Sequence, residues 1–244
     1  MHPNLSRRDF LRLGLRHSAA LAGVLALGGM PALVHGAARR LGSLAADPFT
    51  LGVASGDPTP DSVVLWTRLA SEVMASAGAG NDAVEAAWEI STSPNFRNIV
   101  RSGTIAATPQ LGFSAHAEVR GLNPGQVYFY RWQVGDATSP VGRTKTAPAA
   151  NADVDEFRFA FASCQQYEHG FYTAFRHMAD EEFDLIVHLG DYIYERSWGS
   201  NLVRQHEGPE IITLADYRNR YTTYKSDPDI RVAHSSAPWV VTWD

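Results

Sequence analysis

The chain has 244 residues, 45% hydrophobic and 19% charged, with a net charge of −5. This is globular composition for one or two domains. It has no long basic run, which speaks against nucleic acid as a partner, and a single cysteine excludes an internal disulfide framework.

The N-terminus reads MHPNLSRRDFLRLGLRHSAALAGVLALGG. Ser6-Arg7-Arg8-Asp9-Phe10-Leu11 resembles the twin-arginine export signal. Ser18 to Val34 follow without a charge, diluted by Gly23, Gly28, Gly29 and Pro31. That stretch is too short and too weakly apolar for a membrane span. It fits a cleavable signal over residues 1–46, with cleavage between Gly36 and Ala46. The plainer reading is an amphipathic N-terminal helix. Export implies the twin-arginine machinery as a partner, a periplasmic or secreted protein, and no stable membrane span after cleavage.

Residues 48–148 carry short β-like runs between turn signals. Strands are expected at SVVLWTRL (62–69), AVEAAWEIST (83–92), SAHAEVRGL (114–122), QVYFYRWQV (126–134) and VGRTKT (141–146). Strands at this spacing, without a long helix, predict a β-sandwich of fibronectin III or immunoglobulin-like type. Leu122, Pro124 and Tyr128 have the spacing of a tyrosine corner, with the phenol returning to nearby backbone. Gly56-Asp57-Pro58, within residues 54–63, reads as a turn.

Small and acidic residues at 147–156 form a linker, and from 156 to 244 the pattern changes. A strand is expected at 157–163, a helix at 170–181 and a continuous apolar strand at 183–191. That makes a right-handed βαβ unit with parallel strands. A second helix is expected over 213–227, with Thr213 as its N-cap and Asp216 three residues on. A last strand begins at 236 and is cut off at Asp244.

Ligands of open α/β sheets collect at the carboxyl ends of the strands. Those ends carry Cys164 and Asp191, with Tyr194 three residues further. A thiolate facing a carboxylate repels it unless a cation lies between them, and a bound metal deprotonates a thiol. Hard oxygen donors with a thiolate and a phenolate favour ferric iron over structural zinc, for which no cysteine pair exists. Each residue also has a plainer reading. Cys164 is a small buried hydrophobe, Asp191 a cap, Tyr192 and Tyr194 packed aromatics, and His188 a core histidine. Glu168 and His169 lie on the loop after Cys164, within reach of substrate or metal. His206 and His234 are not singled out by spacing.

FASCQQYEHGFYTAFRHMADEEFDLIVHLGDYIYE resembles the start of the catalytic domain of PhoD-type alkaline phosphatases/phosphodiesterases, within the metallophosphoesterase group. FTLGVASGDPTPDSVVLWTRL resembles that family's N-terminal domain, and VVTWD the strand before its Asp-Asp-His-Glu segment. The first strand of related phosphoesterases ends in Asp-x-His; here a cysteine stands instead. The resemblance implies that Cys164 and Tyr194 bind Fe3+ and that Asp191, the catalytic carboxylate, bridges it to Ca2+. It implies an exported, metal-dependent hydrolase of small phosphate mono- and diesters. Asp244 aligns with the first Asp of Asp-Asp-His-Glu and stays outside the site. The remaining ligands would lie downstream, so the expectation is an N-terminal fragment with an incomplete α/β metallophosphoesterase domain, inactive by itself. The alternatives are a secreted β-sandwich binding module with a vestigial α/β tail, and a purple-acid-phosphatase relative with a different second metal.

Overall fold

A computed structural model describes residues 38–242. The twin-arginine motif, the uncharged stretch and Asp244 lie outside the described residues. Alternation builds the first half. In β6 (Val127–Val134), Tyr128, Tyr130, Trp132 and Val134 are buried and the residues between them face outward, the period-two pattern of a half-buried strand. β6 sits in one sheet with β3 (Val84–Ser91), β4 (Ile99–Ala107), β7 (Ala137–Thr138) and β8 (Gly142–Lys145), in the order β4-β3-β6-β7 with β8 also on β6. A second sheet faces it through β1 (Val53–Gly56), β2 (Ser62–Arg68) and β5 (Ser114–Arg120). Val63, Leu65 and Ala117 from one sheet share a core with Val84, Ile90, Tyr130 and Trp132 from the other.

The Tyr128 hydroxyl accepts the Asn123 N–H at 2.8 Å, closing the corner expected from its spacing. Tyr128→Phe should lower stability by about 1 kcal/mol, because one backbone donor loses its partner. Urea unfolding checks this; an unchanged midpoint would mean the bond contributes nothing.

Three strands and one short helix of this half escape the sequence pattern: β1, β4, the two-residue β7, and α1 (Ser71–Ser76) after β2. β4 is an exposed strand at the end of its sheet, with only its last residue buried, so its alternation is faint. β1 runs into Gly56 of Gly56-Asp57-Pro58, where the sequence suggested only a turn. It pairs antiparallel with β2 and parallel with β11 (Pro238–Val241). The second sheet therefore runs on as β5-β2-β1-β11-β10-β9, with β9 at Phe159–Ala162 and β10 at Leu185–His188. Gly56 permits the junction: a Cβ there would lie 2.8 Å from the Trp239 carbonyl oxygen.

β9, β10 and β11 are parallel, as the βαβ reading requires. One face is covered by α2 (Thr173–Ala179), α3 (Leu214–Lys225) and α4 (Pro228–Ser236), which bring Phe175, Tyr224 and Ile230 into a core with Ile186 and Trp239. The expectation of a fully buried strand at 183–191 holds for one face only. Ile186 and His188 are buried, but on neighbouring β9 Phe159 and Phe161 are 55% and 64% exposed. Among the described residues, no helix covers that second face.

α3 starts where its cap predicts. Thr213 Oγ1 accepts the Asp216 N–H at 3.2 Å and Asp216 Oδ2 accepts the Thr213 N–H at 2.8 Å, a capping box with Asp in the usual Glu place. α4 was not expected, although Asp227 caps it and Pro228 stands at its first position. The two halves are tied together: Lys145 Nζ of β8 meets Asp184 Oδ1 at 2.5 Å, and Arg143 donates to the Phe183 and Ser236 carbonyls at 2.9 and 3.1 Å. No helix among the described residues is long and apolar enough to cross a membrane.

Candidate metal centre

The ladder between β9 and β10 continues past the strands. Leu189 N–H donates to the Ala162 carbonyl (2.8 Å), Cys164 N–H to Gly190 (3.1 Å) and Gln165 N–H to Asp191 (3.2 Å). Cys164 and Asp191 thus face each other across adjacent strand ends. Both adopt left-handed backbone, φ +55° and +53°, a conformation that is uncommon for residues with a side chain and clusters at functional sites.

Tyr194 completes the group. Its hydroxyl donates to Asp191 Oδ2 at 2.6 Å. Burial, then the hydrogen bond and charge of Asp191, and then Cys164, push the phenol far above its ordinary range. The structure therefore brings together the three residues singled out in the sequence. Cys164 is exposed, so the buried-hydrophobe reading of it is not the one observed.

Three acidic donors at one crest cannot all ionise in the absence of a counter-cation. In this structure the phenol keeps its proton and donates it in a hydrogen bond to the carboxylate. A metal replacing that proton would meet a thiolate, a carboxylate and a phenolate, a donor set that suits ferric iron. The residues fit as part of a metal site. Among the described residues there is no group of three His, Cys, Asp or Glu that could hold an ion, so further ligands would have to come from elsewhere.

The other candidates have partners of their own. Glu168 is fully buried; it accepts from the His206 N–H at 2.8 Å and Ser197 Oγ at 2.7 Å. His169 Nε2 meets the Trp198 carbonyl at 2.9 Å. His188 is a core histidine: it is buried, edge-on to Tyr192, stacked with Trp239, and its Nδ1 faces the Gly190 N–H at 3.4 Å. His234 Nε2 pairs with the Tyr192 hydroxyl at 2.7 Å.

The sequence reading missed what supports the crest. Gln165 Nε2 donates to the Tyr192 carbonyl at 2.9 Å, and the Gln165 carbonyl accepts from Tyr172 Oη at 2.7 Å. Arg220 and Tyr224 of α3 are buried and reach Tyr194. The only sequence signal for the glutamines is a polar pair immediately after the cysteine.

The acidic donors stand at the carboxyl ends of parallel strands, where open α/β sheets bind their ligands, and the sheet is continuous with one layer of a two-sheet β domain. Residues 36–148 match the family model "PhoD-like phosphatase, N-terminal domain", and residues 159–244 match "PhoD-like phosphatase". The chain belongs to the PhoD-like phosphatase family. It is 56% identical over 204 residues to alkaline phosphatase D of Bacillus subtilis (strain 168), a match covering 81% of this chain and 35% of that protein. It superposes on the solved structure of PhoD with a TM-score of 0.77 at 55% identity, covering 83% of this chain and 40% of that one. The chain thus spans about a third of the length of alkaline phosphatase D.

Proposed function

We propose that the chain supplies the N-terminal β-sandwich and the first part of the metallophosphoesterase domain of an exported, metal-dependent phosphoester hydrolase acting on small mono- and diesters, as an alkaline phosphatase does. The domain boundaries follow the sequence reading, 48–148 and 156–244. The observation that carries this reading is the convergence of Cys164, Asp191 and Tyr194 at adjacent strand ends. Identity to alkaline phosphatase D supports it.

In this reading Cys164, Tyr194 and Asp191 would hold the metals, with Fe3+ suited to the thiolate and phenolate and Ca2+ to the carboxylate oxygens. Bound metals polarise phosphoryl oxygens and make water more acidic. Asp191 has the central part: its backbone is left-handed just past the end of β10, and its carboxylate already accepts a hydrogen bond from the Tyr194 hydroxyl. Cys164 acts as a ligand, so no phospho-cysteine forms. Export by the twin-arginine route is supported by Ser6 to Leu11.

The test is a chimera. The 204 matched residues of alkaline phosphatase D are replaced by those of this chain, and 4-nitrophenyl phosphate and bis(4-nitrophenyl) phosphate are assayed with and without chelator. Metal-dependent hydrolysis supports the reading; a folded chimera with bound metal and no hydrolysis sinks it. A spectroscopic check accompanies it. Tyr194→Phe should remove the tyrosinate-to-iron absorption band of the ferric protein. A band that survives comes from another residue.

A further inference from the structure

Tyr194 lies on a stretch with neither helix nor strand, so no ladder fixes its main chain. Both of its backbone polar groups are nevertheless bonded from one helix. Its N–H donates to the Tyr224 hydroxyl at 3.2 Å, and its carbonyl accepts from Arg220 Nη1. Arg220 and Tyr224 are one turn apart on α3, 3% and 0% exposed. The same Tyr224 hydroxyl donates to Gln166 Oε1 at 3.1 Å and accepts the Tyr167 N–H at 3.3 Å, two and three residues after Cys164. His206 joins the pair, with Nδ1 3.1 Å from Arg220 Nη1 and Nε2 3.1 Å from the Tyr224 hydroxyl. The buried carboxylate of Glu168 lies 3.5 Å from His206 Nδ1.

A buried guanidinium is an expensive way to fill a core, since a leucine would pack without any charge to desolvate. Here the polar groups of α3 do something a leucine cannot. They hook the Tyr194 loop and the Cys164 loop to the same hydroxyl. A phenol three residues from Asp191 keeps its aim only if its main chain is held, and ligand precision of about 0.5 Å comes from such supporting bonds.

We propose that Arg220 and Tyr224 are positioning residues that fix Tyr194 against Cys164 and Asp191, with Gln166 as the link to the cysteine loop. This rests on the reading of those three residues as metal ligands. It explains why the cysteine is followed by glutamines: Gln165 bonds the Tyr192 main chain and Gln166 the Tyr224 hub.

The test uses the 244-residue chain titrated with ferric citrate, with the phenolate band as readout, and amide hydrogen exchange on the metal-free chain. Tyr224→Phe and Arg220→Met should each weaken iron binding about tenfold or more, the usual range for a supporting bond, and shift the band. Arg220→Lys keeps a donor for the Tyr194 carbonyl and should recover part of the loss. In metal-free Tyr224→Phe, the Tyr194 amide should exchange faster while the β6 amides keep their protection. The proposal is overturned if both substitutions leave iron affinity within about twofold and Tyr194 exchange unchanged. It is also overturned if protection falls throughout the core in step with affinity, because the role is then only structural. If the wild-type chain gives no band that depends on Tyr194, the metal reading falls; Tyr194 exchange in the metal-free variants still decides whether α3 anchors the loop.

Discussion

Asn in place of Asp191 is expected to weaken ferric-iron binding by about 100-fold or more, beyond the 10–100-fold typical of a supporting residue. In the chimera with alkaline phosphatase D, turnover should fall to background. The urea midpoint should stay where it is. The reason lies in the backbone as much as in the carboxylate. Asp191 sits at φ +53°, a region where Asn is as much at home as Asp and most other residues are not. Asn therefore keeps the left-handed bend just past the end of β10, and its amide oxygen can still accept from the Tyr194 hydroxyl. Only the charge is removed. Alanine would confuse the result, because it adds backbone strain to the lost ligand. A loss of about 100-fold corresponds to about 2.7 kcal/mol of binding free energy. Near-wild-type affinity and turnover in Asp191→Asn would show that the carboxylate is a turn residue and that the metal reading of this crest is wrong.

The crest was legible because its signals are local. Strands announce where they end, and Cys164, Asp191 and Tyr194 sit at or just beyond those ends. Tyr128 was legible for the same reason, since its partner lies five residues away. The residues that hold the crest in place were not legible. Arg220 and Tyr224 reach Tyr194 across 26 and 30 positions, and α3 buries these polar side chains rather than an apolar stripe. No period marks such a face. β1 was hidden for a different reason. Its four residues end at a Gly-Asp-Pro that looks like a turn, and the need for glycine comes from Trp239, 183 residues away, whose carbonyl comes too close for any Cβ. The open face of β9 was also beyond the sequence. An apolar run shows that a strand can be buried on both sides, while the exposure of Phe159 and Phe161 depends on which helices arrive to cover them.

The second large effect is a loss of stability in acid, and His188 should carry a distinct share of it. Its ring lies fully buried against Tyr192 and Trp239, and burial pushes the imidazole down to about 4, against the opposing charge of Asp191. Above the ordinary histidine value of 6.5 the group is neutral in both folded and unfolded chains and contributes no pH dependence. Between 6.5 and about 4 the unfolded chain takes up a proton that the folded chain refuses. The unfolded state then binds more protons, so folding weakens as pH falls. Below about 4 both forms are charged and the loss levels off. A shift of this size is worth about 3 kcal/mol at 1.36 kcal/mol per unit, a large part of a typical domain stability of about 5–15 kcal/mol. His234, buried beside it, is pushed down too and adds in the same direction. Carboxylates also titrate over this range, so the measurement has to be a difference. His188→Phe keeps a planar ring between Tyr192 and Trp239 and removes the proton site. Urea unfolding of the metal-free chains at a series of pH values from 7 to 4 should show the wild type losing about 3 kcal/mol more than the variant across that range. Parallel curves would mean that His188 titrates as an exposed histidine does. The substitution also removes the Nδ1 acceptor of the Gly190 N–H, a long bond at 3.4 Å. That changes stability at every pH alike, so it shifts the variant's curve without altering its slope, and the slope is what reports the buried ring.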